Sequence, residues 1–295
     1  TSPAAVFTAS TSTMNYTGSS ATTTAAATYN NLGVGTTSDT GAGVAYTLGG
    51  DTTVPGTLTV GNASSTNTDT LVGSTFTLTL SGSIATPFSL TAKGAFSAGT
   101  STVSYTGING SGNVNVTTAT YSGLIVNPSS AETYDVAGSL TASGTVNVGT
   151  NATLSIASGI TLTHSGATLT LNGTISGAGT YAYQSATAFP IGGTISSILR
   201  FDATNNAQTM SNRTYGGQVE IYNNSATNRT VTMSSSTHTL SSHLYLNAAG
   251  TGDIQLDGSA NNPTVTIGGD LDFTGTGTGM EIIAAGNGTW TVGGR

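Results

Sequence analysis

The stretch GTVNVGTNATLSIASGITLTHSGATLTLNGTISGAGT runs from Gly144 to Thr180. Apolar residues fall in it two apart: Val146/Val148, Leu154/Ile156, Ile160/Leu162 and Leu169/Leu171, followed by Ile175. A period of two marks a strand with one buried face, and the Gly and Asn residues between the pairs suit tight turns. The set itself recurs: Leu169 repeats Val146 at 23 positions further on, and Ile175 repeats Leu154 at 21. Three short strands in that span are what one coil of a parallel β-solenoid needs, each coil burying its inward side chains against the next, about 4.8 Å away. The predicted fold is therefore all-β, a parallel β-helix with coils of about 21–23 residues.

A longer repeat surrounds this one. AVFTASTSTMNYTG at Ala5–Gly18 returns as GAFSAGTSTVSYTG at Gly94–Gly107. TYNNLGV at Thr28–Val34 returns as TYSGLIV at Thr120–Val126 and, more loosely, as TYGGQVEI at Thr214–Ile221. Tyr16 and Tyr105 are 89 positions apart, Tyr29 and Tyr121 are 92, and Tyr121 and Tyr215 are 94. Residues 1–295 thus read as one continuous array with approximate units 1–93, 94–197 and 198–295, each of about four coils. Such arrays are usually built for reach or surface. Tandem immunoglobulin-like β-sandwiches are the alternative, since about ninety residues also make one sandwich. The finer period has no reason to exist in a Greek key, which favours the solenoid. The recurring aromatics Phe7, Tyr16, Phe96, Tyr105, Tyr29 and Tyr121 read as packing residues of the coils.

Composition agrees. Only 6% of residues are charged, against about 25% in ordinary soluble domains. Stacked like charges would repel at the strand spacing, whereas outward Thr keeps β-propensity and solubility. Disorder is rejected because β-branched and aromatic residues alternate throughout. No stretch has helical periodicity, and no apolar run is long enough for a membrane helix. The net charge of −7, with Lys93 the only lysine and Arg200, Arg213, Arg229 and Arg295 the only arginines, argues against nucleic acid and anionic lipid. There is no cysteine, so disulfides, thiol catalysis and Cys-based zinc sites are excluded. Thr1-Ser2-Pro3 has no signal-peptide character, so an exported protein would have lost its leader.

With YTLGGDTTVPGTLTV at Tyr46–Val60 and YDVAGSLTA at Tyr134–Ala142 added to these repeats, the chain resembles the repeats of large bacterial surface proteins. They are similar to filamentous-haemagglutinin-like and autotransporter-like β-helical adhesins. The resemblance covers the first two units clearly and the third loosely. It implies a secreted or cell-surface structural role and no catalytic residues.

A search for chemistry finds scattered acids. Glycosidases need two carboxylates roughly 5–10 Å apart. The densest local group is Asp270-Leu271-Asp272 with Asp253 and Asp257 upstream, which are candidate oxygen ligands for Ca²⁺. The toxin-type calcium nonapeptide is absent, and solvated turn acids are the plainer reading. Arg200-Phe201-Asp202 puts opposite charges on one strand face, an exposed ion pair worth about 0–1 kcal/mol. His238 and His243 read as surface strand or turn residues and His164 as a turn residue before Ser165-Gly166. No nucleophile elbow or phosphate loop is present, so no catalytic or cofactor residue is expected. Ten Asn-x-Ser/Thr sequons start at Asn15, Asn62, Asn109, Asn115, Asn151, Asn172, Asn212, Asn223, Asn228 and Asn287, each a candidate glycosylation acceptor.

The function expected is that of an extracellular structural protein, a solenoid subunit of a filament, stalk or adhesin. Its partners are copies of itself joined head to tail, with surface glycans as a further candidate; nucleic acid and membrane insertion are not expected. TWTVGGR at the C-terminal end followed by TSPAAVF at the N-terminal end reads like the internal junction LTAKGAF at Leu90–Phe96. A carbohydrate-binding or carbohydrate-cleaving β-helix is one alternative. A pilus-like sandwich protein donating its Thr1–Thr13 strand to a neighbour is another.

Overall fold

The computed structural model describes residues 10–37, 43–62 and 66–295. Phe7 and Asp39 fall outside them, as do residues 1–9 of the segment considered for strand exchange. The described residues form thirty-five short strands and no helix. The strands pair in parallel, generally with the strand three positions on in the chain. They stack as a β-solenoid of about 11 turns. Parallel pairing excludes the immunoglobulin-like sandwich, whose sheets are antiparallel. The chain divides into two compact units, Thr1–Gly144 and Thr145–Arg295.

In the first unit three walls are explicit. One consists of Thr13–Tyr16, Asn31–Val34, Leu58–Val60 and Phe88–Leu90. The second holds Thr22–Thr24, Ala45–Leu48, Asp69–Val72 and Gly94–Ser97, and the third Thr52–Val54, Thr77–Leu80, Thr102–Tyr105 and Gly123–Val126. Register keeps like over like. Leu32 faces Leu58, which faces Phe88, and Leu78 faces Val103, which faces Leu124. All six are buried. The outward ladder of the third wall is hydroxylated, with Thr77 on Thr102 and Thr79 on Ser104, so that this wall is largely apolar inside and uncharged outside.

In the second unit the opening coils contain the stretch that first indicated the fold. Val146 faces Leu169 and Leu154 faces Ile175, as the spacing of the apolar pairs predicts. Ile160 and Leu169 are only half-buried, while the other seven residues of the pattern are buried. Elsewhere coil length is not constant. Thr13 faces Asn31 across a shorter coil, whereas Leu58 faces Phe88 and Leu244 faces Leu271 across longer ones. Side chains see only the coil above and below, so turns can lengthen outward without disturbing a ladder. Gly177 shows a tight corner: its φ is 96°, and an added Cβ would lie 2.2 Å from the Ile156 carbonyl oxygen. Both facts call for glycine.

The long repeat has a structural meaning that differs from the one expected. Tyr16 and Tyr29 share a hydrogen bond of 2.8 Å between hydroxyls, and Tyr105 and Tyr121 one of 3.1 Å. The Tyr16 hydroxyl accepts from Ala25 N and the Tyr105 hydroxyl from Thr117 N. Tyr29 and Tyr121 in turn donate to the carbonyls of Ala25 and Thr117. One corner clasp is therefore built twice. Tyr16 lies in the wall of Asn31–Val34, however, and Tyr105 in the wall of Thr77–Leu80. The repeat spans three whole coils and two further walls, not four coils.

The second half of the clasp recurs alone. Tyr215 donates to the Ser211 carbonyl, and His238 Nε2 lies 2.9 Å from the Ser234 carbonyl, again four residues back. His238 thus takes the tyrosine position of the Thr-Tyr pair. It is fully buried, as is His164, whose Nδ1 lies 3.0 Å from the Tyr181 hydroxyl. Neither is the surface or turn residue expected. The sequence signal was present in Thr237-His238, which has the form of Thr28-Tyr29.

Burial lowers the His238 pKa below its ordinary 6.5, an effect that backbone hydrogen bonds to Ser234 and Ser211 only partly offset. The folded chain therefore binds this proton less readily than the unfolded chain does. Stability is full above the unfolded pKa and is lost as pH falls through it toward the folded value. Denaturation midpoints measured from about pH 7.5 to about pH 5 should fall, and His238→Gln should flatten part of that slope. An unchanged slope in the variant would remove His238 as its source.

Candidate functional site

Most outward ladders of the second unit are Thr or Ser: Thr153 on Thr174 on Thr194, Thr145 on Thr168, Thr161 on Thr180. One wall departs from this. On the strands Ile198–Asp202, Val219–Asn223, Leu244–Ala248 and Leu271–Phe273, the outward column reads Arg200, Glu220, Tyr245, Asp272. A second column beside it reads Asp202, Tyr222, Asn247. Each side chain points outward because the residues beside it, Leu199, Phe201, Val219, Ile221, Leu244 and Leu246, fill the core.

The columns are cross-linked. Arg200 Nε donates to Glu220 Oε2 at 2.7 Å, and its guanidinium carbon lies 4.5 Å from the centre of the Tyr222 ring. Asn247 Nδ2 donates to Glu220 Oε1 at 2.9 Å. Gln184 Nε2 donates to Asp202 Oδ2 at 2.8 Å. The result is a second layer of packing on the outside of the coil: the Glu220 side chain is 9% exposed and Arg200 29%. The expected exposed pair of Arg200 with Asp202 is not formed. Arg200 reaches instead to the next coil, and Asp202 is buried. Burial raises the Tyr222 pKa; Arg200 pulls it back, and Asp202 and Glu220 push it further up. Its hydroxyl is a donor at neutral pH. Beyond Tyr245 lies His243, its ring 5.7 Å away and inclined by 14°. His243 Nδ1 accepts from Asp270 N at 3.0 Å.

The four aspartates considered for calcium divide between two sheets. Asp253 precedes and Asp257 ends the strand Ile254–Asp257, which pairs with Arg229–Met233 and Glu281–Ala284, whereas Asp270 precedes and Asp272 lies in Leu271–Phe273 of the wall just described. Among the described residues no group of three His, Asp or Glu side chains is placed to hold a metal ion. Instead several acids and amides clip one coil to the next. Asp253 Oδ1 accepts from Met280 N and Asp270 Oδ1 from Arg295 N. Asp51 accepts from Thr77 N and Asn31 from Thr57 N. In the first unit, buried Asp69 accepts from both Thr36 N and Val44 N.

The sequons differ in their surroundings. Asn15, Asn151, Asn172, Asn212, Asn228 and Asn287 are exposed. Asn62 Nδ2 donates to the Thr36 carbonyl and Asn115 Nδ2 to Thr86 Oγ1. Asn109 is nearly buried, with Nδ2 on the Asn113 carbonyl. Asn223 is fully buried, with Nδ2 on the carbonyls of Thr227, Gly252 and Asp253. No helix of the described residues is long and apolar enough to cross a membrane.

Sequence reading did not find Glu220, Tyr222, Tyr245 and Asn247 as a group. They meet only after turns of unequal length, the step from Glu220 to Tyr245 being longer than that from Arg200 to Glu220. The available signal was the appearance of charged and aromatic residues at alternate positions that elsewhere carry Thr. Comparison of the chain with family models, with curated proteins and with solved structures gives no match.

Proposed function

We propose that the protein is a structural element of an extracellular bacterial surface, a solenoid segment of a filament, stalk or adhesin that associates head to tail. The observation that carries this reading is the parallel stack itself, about 11 turns whose outward ladders are mostly Thr and Ser. Leu271–Phe273, Glu281–Ala284 and Thr289–Val292 are the last rungs of their ladders among the described residues, and Phe273, Met280 and Val292 there are 54%, 61% and 37% exposed. Ladders that all run one way suit a second copy stacking on the first, a heterologous contact that propagates into an open filament. The charge-poor Thr and Ser walls and the resemblance to bacterial surface repeats support the same reading.

Sedimentation velocity and negative-stain electron microscopy test it. The chain should form species that lengthen with concentration. The double variant Phe273→Lys/Val292→Lys places two charges at the edge and should remain monomeric at the same concentrations. Dispersed monomers of the parent chain at every concentration, or equal association of the variant, would refute head-to-tail assembly.

A further inference from the structure

We infer that the wall carrying Arg200, Glu220, Tyr222, Tyr245, Asn247 and Asp272 binds a neutral oligosaccharide laid along the stacking direction. This goes beyond the structural role and does not depend on it. Three observations carry it.

First, the wall exchanges an ordinary hydroxylated surface for aromatic and planar polar side chains in consecutive coils. Aromatic faces take up the C–H faces of sugars, and carboxylate, amide and guanidinium groups pair with neighbouring hydroxyls. The columns rise by about 4.8 Å per coil, comparable to one sugar ring, so that successive rings of an extended chain meet successive coils.

Second, the groups are held in place before any ligand arrives. Glu220 is fixed by Arg200 on one oxygen and Asn247 on the other, and Asp202 by Gln184 and Thr204 N. Fixed hydrogen-bonding groups lose little entropy on binding. Third, hydrogen-bonding capacity is left over. Asn247 Oδ1 is buried and has no partner. The Tyr245 hydroxyl and the Asp272 carboxylate make no hydrogen bond to the described residues. The half-exposed Tyr245 hydroxyl and Asp272 carboxylate are therefore the groups left to pair with sugar hydroxyls.

Charge selects the ligand class. Asp202, Glu220, Asp270 and Asp272 outnumber Arg200, so the wall is acidic and repels sulfated or uronic acid chains. A wall without a deep cleft implies affinity that grows with the number of sugars engaged, because each ring adds its own small contact.

Isothermal titration calorimetry of the full chain tests the inference. The probes are linear oligomers of glucose, of galactose and of N-acetylglucosamine, with a sulfated and a uronic acid polymer as polyanions. At least one neutral series should bind saturably and more tightly with length. Tyr245→Ala should weaken that binding by about tenfold, the scale of one lost aromatic contact. Asp272→Asn keeps the side chain's shape and should also weaken it, which covers the case in which Tyr245→Ala perturbs the fold. Thr170→Ala, on another wall, should leave it unchanged. The inference is overturned if no neutral series binds, if a polyanion binds more tightly, or if both wall variants bind as the parent does.

Discussion

Phe201→Ala should lower unfolding stability by about 3–5 kcal/mol. Phe201 is fully buried and stands at the centre of an aromatic cluster in the second unit. Its ring centre lies 5.8 Å from that of Phe189 and 6.3 Å from those of Tyr183 and Tyr215. It is also one rung of an inward ladder, with Tyr183 on one side and Ile221 on the other. Truncation leaves a cavity that neighbouring rings cannot fill without leaving their rotamers. Tyr183 is further tied by its hydroxyl to Thr187, and Tyr215 to Ser211, which limits collapse into the void. Phe201→Leu keeps much of the volume and should cost clearly less. Guanidinium unfolding followed by circular dichroism gives both values. A Phe201→Ala midpoint equal to that of the parent would contradict the packing described.

Asp69→Ala should be of similar size in the first unit, about 3–5 kcal/mol from two charge-assisted hydrogen bonds. Asp69 is 0% exposed; its two oxygens accept from Thr36 N at 2.7 Å and Val44 N at 2.8 Å. Alanine leaves two buried amide donors without acceptors. Asn has nearly the same shape, yet its NH₂ would face one of those donors, so Asp69→Asn should recover only part of the loss. This ordering, with Asn nearer Ala than Asp, separates a hydrogen-bonding role from a packing role. If Asp69→Asn matched the parent, the carboxylate would not be the clip proposed.

The architecture was legible in the sequence because it rests on a local rule. Val146/Val148 and Leu154/Ile156 alternate, their turns are short, and their spacing is that of their own coil. That rule does not extend to corners of other lengths, and Leu58 meets Phe88 at a distance the period does not give. The roles of the acids stay hidden for a related reason. Asp69 is one scattered acid in the sequence until the preceding coil brings Val44 N against it. The outward wall at Arg200 and Glu220 likewise needs the register of four coils before its members become neighbours. Histidine was the remaining gap: His238 occupies a tyrosine site, and its one local signal is Thr237 before it, as Thr28 stands before Tyr29.

The clasp of Tyr16 with Tyr29 reappears as Tyr105 with Tyr121 on a different wall. A copied segment that lands one wall out of phase and still closes the same hydrogen bonds means that the three walls are interchangeable hosts. The increment by which such a chain grows is then the single strand with its corner, not the full turn. Duplications of almost any length can be absorbed, provided that they keep inward and outward positions in step. That tolerance explains how the short coil from Thr13 to Asn31 and the long one from Leu58 to Phe88 coexist in one ladder.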